Sequence, residues 1–146
     1  MLTTLEAGRC PLIWTERRDH VETLRQRFEG FTRNLVVLHG GLKPAERRDA
    51  LARLRASPND ERLVLATGRY LGEGFDDSRL DTLFLVMPVS WKGTLAQYVG
   101  RLHRDHDGKR DVIVYDYVDR AVPVLARMAA KRETGYKSLG YIIDSR

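Results

Sequence analysis

The sequence predicts an α/β fold in which a parallel sheet carries helices on both faces. Short apolar runs alternate along the chain with longer segments whose apolar residues recur three and four positions apart, as in amphipathic helices. The short runs are continuously apolar, which is typical of strands buried on both faces of a parallel sheet. Because parallel sheets bind ligands at the carboxyl ends of their strands, we expect the functional loops to lie there.

The predicted elements follow the apolar runs, which loops rich in Gly, Pro, Asn and Asp separate. In chain order they are a strand at 11–15, a helix over about 19–28, a strand at 35–38, a helix over about 44–56, a strand at 63–66, a strand at 82–87, a helix from 94 to about 103, a strand at 111–117 and a helix from 121 to about 133. Pro44 suits the first turn of its helix, where a missing N–H costs nothing. The residues expected to face the core are Val21, Leu24 and Phe28 in the first helix and Val124, Leu125 and Met128 in the last.

The composition predicts one soluble domain with anionic partners. The chain has 146 residues and a net charge of +5, and 20 of its 25 basic residues are arginine, which binds phosphate in a multidentate way. No stretch approaches the roughly 18 consecutive apolar residues of a membrane span, and no signal peptide is recognisable. We therefore expect a cytoplasmic protein that does not bind membranes. The single cysteine, Cys10, cannot form an internal disulfide, and we expect no metal site.

The segment Gln97-Tyr-Val-Gly-Arg-Leu-His-Arg104 carries the most specific signal. On a helix, Gln97, Arg101 and Arg104 share one face, and Gly100 beside them would let a ligand or another backbone approach closely. The opposite, apolar face consists of Leu95, Val99 and Leu102. Because the chain has only two glutamines, the pattern Gln-x-x-Gly-Arg-x-x-Arg would arise by chance in on the order of one in 300 such sequences. The sequence thus predicts an outward face that binds an anion.

This segment resembles motif VI of the superfamily 2 helicases, Q-x-x-G-R-x-x-R. Residues 66–76, Ala-Thr-Gly-Arg-Tyr-Leu-Gly-Glu-Gly-Phe-Asp, resemble motif V of that family, and the two occur in the family's order. Residues 11–16 are similar to the motif IV region, and His39-Gly40-Gly41 with the helix after it resembles the next element. The resemblance covers about residues 10–118 and is closest in wording to helicases of the restriction, repair and conflict-system kind.

The resemblance implies a RecA-like second motor domain, similar to P-loop NTPases but without its own phosphate loop. Its ATP site would be shared with an N-terminal RecA-like domain of the same polypeptide or of a separate subunit. Arg101 and Arg104 would act as arginine fingers on the γ-phosphate, and ATP and Mg²⁺ would be bound mainly by the N-terminal domain. The remaining residues implied at the ATP-binding interdomain face are Gln97, Gly100, Gly74 and Asp76. The isolated chain would then be inactive.

The resemblance also implies contacts with a nucleic-acid backbone, from Thr67 and from His39 with Gly40. We expect DNA rather than RNA as the partner. Trp91 follows a strand end and could stack on a base, although a half-buried Trp91 that anchors the following helix is the structural alternative. The whole chain, 1–146, is expected to form a single helicase C-terminal domain with a core at about 10–118 and a helical extension at about 120–146.

Other motifs bear on this prediction. The chain lacks a Gly-x-x-x-x-Gly-Lys-[Ser/Thr] phosphate loop and an Asp-Glu pair after an apolar strand, so a complete ATP site within it is not expected. Motif V is one residue longer than in DEAD-box proteins, and Gln97 stands where those proteins have His, which argues against that subclass.

Two alternatives stay open. One is a degenerate module that binds nucleic acid or a partner without motor activity. The other is a Rossmann-type enzyme that binds a nucleotide through its glycines, Gly68, Gly72 and Gly74. The second is disfavoured because residues 75–81 lead from these glycines to another strand, whereas a Rossmann motif opens a helix directly.

Overall fold

Five parallel strands form the central sheet. The computed structural model describes residues 2–56, 61–67, 79–103, 109 and 111–144. The strands are β1 (Pro11–Thr15), β2 (Leu35–Leu38), β3 (Leu63–Thr67), β4 (Thr82–Leu85) and β5 (Ile113–Asp116). The helices are α1 (Leu2–Glu6), α2 (Arg18–Phe28), α3 (Pro44–Ala56), α4 (Gly93–Arg101) and α5 (Pro123–Ser138). The predicted α/β class with a parallel sheet is confirmed.

The strand order is β2-β3-β1-β4-β5, so β1 is the central strand. Leu12 of β1 is in register with Val64 of β3 on one side and with Leu83 of β4 on the other. The chain first builds β2 and β3 on one side of β1 and then crosses over β1 to build β4 and β5. The carboxyl end of β1 therefore lies at a topological switch point, where open parallel sheets form their ligand-binding crevice.

Helices cover both faces of the sheet, as predicted. Alternate residues of a strand point to opposite faces, so each strand contributes to two apolar layers. Val21 of α2 packs in one layer with Ile13, Leu63, Leu65 and Phe84. The other layer lies under α3, α4 and α5 and contains Leu12, Trp14, Val36, Leu38, Val64, Ala66, Leu83, Leu85, Leu95, Tyr98, Val99 and Tyr136. Each fully buried side chain of this kind contributes roughly 1.5–3 kcal/mol of hydrophobic stabilisation.

Most element bounds agree with the prediction. Three elements have the predicted bounds, namely the strands at 11–15 and 35–38 and the helix at 44–56. Two strands are shorter than predicted: β4 ends at Leu85 and not at 87, and β5 covers Ile113–Asp116 and not 111–117. The short helix α1 was not predicted. No helix among the described residues combines the length and the apolar character that crossing a membrane requires.

The predicted buried face of the last helix is wrong at Val124, which is 50% exposed. The fully buried positions of α5 are Ala129, Arg132, Gly135 and Tyr136. The helix is rotated toward these residues because Arg132 forms a bidentate ion pair with Asp116 at the end of β5, with N–O distances of 2.7 and 2.9 Å. Leu125 and Met128 are half-buried beside this face.

Candidate interdomain and nucleic-acid face

Helix α4 presents the two faces that its sequence predicts. Leu95, Val99 and Leu102 are 1%, 0% and 2% exposed, and Gln97 on the other side is exposed. Tyr98 anchors the helix further, because its ring packs edge-on against Trp14 of β1 with 5.8 Å between the ring centres. The side of α4 that carries position 97 is therefore fixed toward the outside. The side chain of Arg101 and all of Arg104 lie outside the described residues.

The end of α4 is held by a contact with the C-terminal segment. The N–H of His103 donates to the carbonyl of Gly100 at 3.2 Å, so the last turn is tighter than an α-helical turn. The hydroxyl of Tyr141 donates to the carbonyl of Val99 at 3.1 Å. The rings of His103 and Tyr141 also lie 4.9 Å apart, centre to centre. The end of the helix that precedes Arg104 is thus tied to the far end of the chain.

Gly100 has open space on its side-chain side. A Cβ placed on it would meet nothing within 4 Å among the described residues. Packing inside this part of the chain therefore does not require glycine at position 100. The predicted reason for this glycine, a close approach from outside the chain, stays a prediction.

Thr67 is the last residue of β3 and lies beside Thr15 of β1, at the carboxyl edge of the sheet. Its side chain is only 5% exposed. The neighbouring Thr15 hydroxyl lies 2.8 Å from Nδ1 of His20 and 2.9 Å from Sδ of Met87. The two threonines therefore mark the middle of the edge at which a parallel sheet binds ligands.

His39, Gly40 and Gly41 follow β2 at the same edge. Nδ1 of His39 accepts a hydrogen bond from the N–H of Gly41 at 3.0 Å. Burial, and then the positive charge of Arg18, lower the pKa of His39 below its usual value. The neutral ring that accepts at Nδ1 carries its proton on Nε2 and can donate it to an acceptor such as a phosphate oxygen.

Arg18 is a cation at this edge that the sequence reasoning missed. It begins α2, directly after β1, and its guanidinium lies so close to Gly41 that a Cβ on that glycine would overlap it. Its position could have been found, because a basic residue that opens a helix after a buried parallel strand must lie at the carboxyl edge. Arg18, His39 and Gly40 together form a basic and polar corner beside β2.

Comparison with known proteins identifies the family. The family model described as the helicase conserved C-terminal domain matches residues 1–106 of the 146-residue chain. The chain belongs to this family. The parallel sheet with helices on both faces is accordingly the fold of a helicase C-terminal domain. No curated protein sequence matches the chain significantly.

Solved structures share the fold of this helicase C-terminal domain. T4 UvsW superposes with a TM-score of 0.71 at 15% identity over 94% of this chain and 31% of its own. The C-terminal part of the Fun30 ATPase domain gives 0.67 at 11% identity, over 97% of this chain and 46% of its own. The C-terminal domain of the DEAD-box protein Dbp5 gives a TM-score of 0.65 at 16% identity, over 97% of this chain and 78% of its own. At these identities the likeness shows the RecA-like fold, and the chain spans less than half of the first two structures.

Trp91 of the helicase C-terminal domain is half-buried and packs on α5. Its indole lies against Gly135, and its ring centre is 5.3 Å from that of Tyr136 in an edge-on arrangement. The half-burial is as predicted, but Trp91 packs on α5, so the prediction that it anchors the following helix is wrong. Stacking of Trp91 on a base stays a prediction.

The predicted site residues of motif V lie mostly outside the described residues. The structure does not describe the segment 68–78. This segment contains Gly74 and Asp76, and also Gly68 and Gly72 of the Rossmann-type alternative. In the described part of the chain, His, Cys, Asp and Glu side chains form no group of three or more that could hold a metal ion.

Proposed function

We propose that this helicase C-terminal domain is the second motor domain of an ATP-dependent superfamily 2 helicase or translocase. It completes an ATP site that it shares with an N-terminal RecA-like domain. The observation that carries the proposal is the orientation of α4: its apolar face is buried and Gln97 is exposed, so residues at helical spacing from Gln97 project outward. Arg101 follows Gln97 by one turn, and Arg104 would follow by two if the helical spacing continues past α4.

Arg101 and Arg104 act as arginine fingers in this proposal. ATP supplies the phosphoryl group, whose negative charge must be met by cations as it is transferred. Arg101 and Arg104 would supply guanidinium groups for that charge. Mg²⁺ and the phosphate loop are assigned to the N-terminal domain, because this sequence contains no phosphate-loop motif. Gln97, Gly100, Gly74 and Asp76 line this domain's side of the cleft.

The carboxyl edge of the sheet binds the nucleic-acid strand in this proposal. His39 is kept neutral by its surroundings and donates from Nε2, and Gly40 exposes its backbone beside it. Thr67 completes the backbone contact from the middle of the edge, and Trp91 is the candidate for stacking on a base. We favour DNA over RNA as the strand.

The test is strand-stimulated ATP turnover by the complete motor, which is this domain together with its N-terminal motor domain. Arg104→Ala should lower turnover by roughly 10³ to 10⁵, the usual value of an arginine finger, while ATP binding is largely retained. Arg127→Ala is the matched control, since Arg127 is an exposed arginine of α5 away from the proposed site.

Unchanged turnover in Arg104→Ala would refute the finger assignment. If the native motor and its variants all bind the strand with a steep salt dependence but do not turn over ATP, the alternative is favoured, which is a module that binds nucleic acid without motor activity. Turnover by the isolated chain would contradict the shared site.

A further inference from the structure

The C-terminal segment caps the helix that carries the proposed arginine fingers. In the last turn of a helix the carbonyl groups lack partners within the helix. The carbonyl of Val99 is one of these, because the N–H of His103, four residues on, donates to Gly100 instead. The hydroxyl of Tyr141 supplies the missing donor at 3.1 Å across 42 residues of sequence.

Tyr141 is itself held in place by the way α5 ends. The N–H of Gly140 donates to Lys137 and the N–H of Tyr141 donates to Tyr136, which is the hydrogen-bond pattern of a Schellman motif. Gly140 has a φ of +92°, a conformation that other residues adopt only with strain. The motif reverses the chain and directs Tyr141 back toward α4, where its ring also contacts Tyr136 at 6.0 Å between ring centres.

Helix α5 is in turn fixed to the connection that leads into α4. Arg132 is 1% exposed, pairs with Asp116 and donates to the carbonyl of Val89 at 2.7 Å. Val89 lies in the connection from β4 to α4. The hydroxyl of Tyr136 donates to Asp116 at 2.8 Å, which gives the part-buried carboxylate a third hydrogen bond. Contacts from α5 and the residues after it therefore hold the connection that precedes α4 and the last turn of α4.

We propose that Tyr141 is a positioning residue for the arginine-finger helix. By capping Val99 it fixes the last turn of α4, which carries position 101 and leads to position 104, the two proposed fingers. The proposal rests on the proposed function, since it assumes that these arginines act in ATP turnover. The Tyr141 hydroxyl is a donor throughout the working pH range, because burial raises its pKa to about 12.

The test is Tyr141→Phe in the complete motor, because this change removes the hydroxyl and keeps the ring that packs on His103 and Tyr136. We expect the strand-stimulated kcat to fall about two- to tenfold, the value of one neutral hydrogen bond, with the KM for ATP unchanged. Tyr115→Phe is the matched control, since Tyr115 is 42% exposed, stacks on Phe84 in the layer under α2 and should leave kcat unchanged. Gly140→Ala, which strains the turn that directs Tyr141, should lower kcat in the same way.

Combination with Arg101→Ala/Arg104→Ala, which removes both fingers, separates positioning from a general structural effect. If Tyr141 acts through the fingers, Tyr141→Phe changes the residual turnover of this motor by less than twofold. An equal loss in both backgrounds, or a lower melting temperature with unchanged kcat, would overturn the inference. If Arg104→Ala itself leaves turnover unchanged, the proposed function fails instead, so the two failures are distinguishable.

Discussion

His39 is a residue whose surroundings make it a pH-dependent part of the carboxyl edge. Burial and the charge of Arg18 lower its pKa, so the folded state favours the neutral ring. Protonation would place a second positive charge beside the Arg18 guanidinium and remove the acceptor that Nδ1 offers to the N–H of Gly41. The same residue is the proposed donor to the nucleic-acid backbone, so one titration affects both stability and binding.

The direction of the pH effect follows from the lowered pKa. The stabilisation is present above the unfolded pKa of about 6.5 and is lost as the pH falls below it through the lower folded pKa. We expect His39→Asn, which can keep an acceptor for Gly41 but does not titrate, to lose less melting temperature than the native chain between pH 8 and pH 5. Thermal unfolding of both proteins across this range measures the difference. Parallel curves would show that His39 does not contribute.

Single residues also show where sequence reasoning reaches its limit. Leu95, Val99 and Leu102 were assigned to the buried face of α4 correctly, because helical periodicity reports burial directly. Arg132 was missed, because a charged residue is predicted to be exposed unless its partner is known. That partner, Asp116, is 16 residues away, and Val89 is 43 residues away. No local pattern encodes either contact.

At the scale of elements, the packing of α5 depends on a glycine that accommodates a tryptophan. Gly135 is buried in the interior of α5, and a Cβ on it would overlap the indole of Trp91. Alanine favours helix over glycine by about 1 kcal/mol, whereas overpacking a filled site costs about 1–3 kcal/mol. The steric cost should therefore exceed the gain in helix propensity.

We expect Gly135→Ala to lower the free energy of unfolding, measured by urea denaturation of this domain. Lys131→Ala on the exposed side of α5 is the control and should change stability by less than about 0.5 kcal/mol. In a Trp91→Leu background the cost of Gly135→Ala should be smaller, because the overlapping ring is gone. An equal cost in both backgrounds would mean that the indole is not the cause.

The elements themselves were largely predictable, and their arrangement was not. Apolar runs located all five described strands, and the three inner ones, β1, β3 and β4, are buried along their whole length. The strand order β2-β3-β1-β4-β5 depends on which distant segments pair, and the runs are too alike to specify it. The sequence shows a glycine at position 140. It does not show that the turn at this glycine directs Tyr141 to the carbonyl of Val99, because that contact joins residues 42 positions apart.

At the scale of the whole molecule, glycine at position 100 is expected to affect the stability of this domain and the turnover of the complete motor differently. Nothing described lies within 4 Å of a Cβ placed on it, and it stands inside α4, where glycine is a poor helix former. If only the fold mattered, alanine would serve better at this position. The proposed function gives the glycine another reason, which is close approach of the N-terminal domain or of ATP to the finger helix.

We therefore expect Gly100→Ala to have opposite effects on two measurements. It should raise the free energy of unfolding of this domain by about 0.5–1 kcal/mol, since the unfolded chain loses freedom and no described neighbour obstructs the methyl group. It should lower strand-stimulated turnover by the complete motor, because the added methyl group lies on the proposed interdomain face. Higher stability with unchanged turnover would place the cleft elsewhere on this domain, whereas lower stability would reveal an obstruction from within the chain.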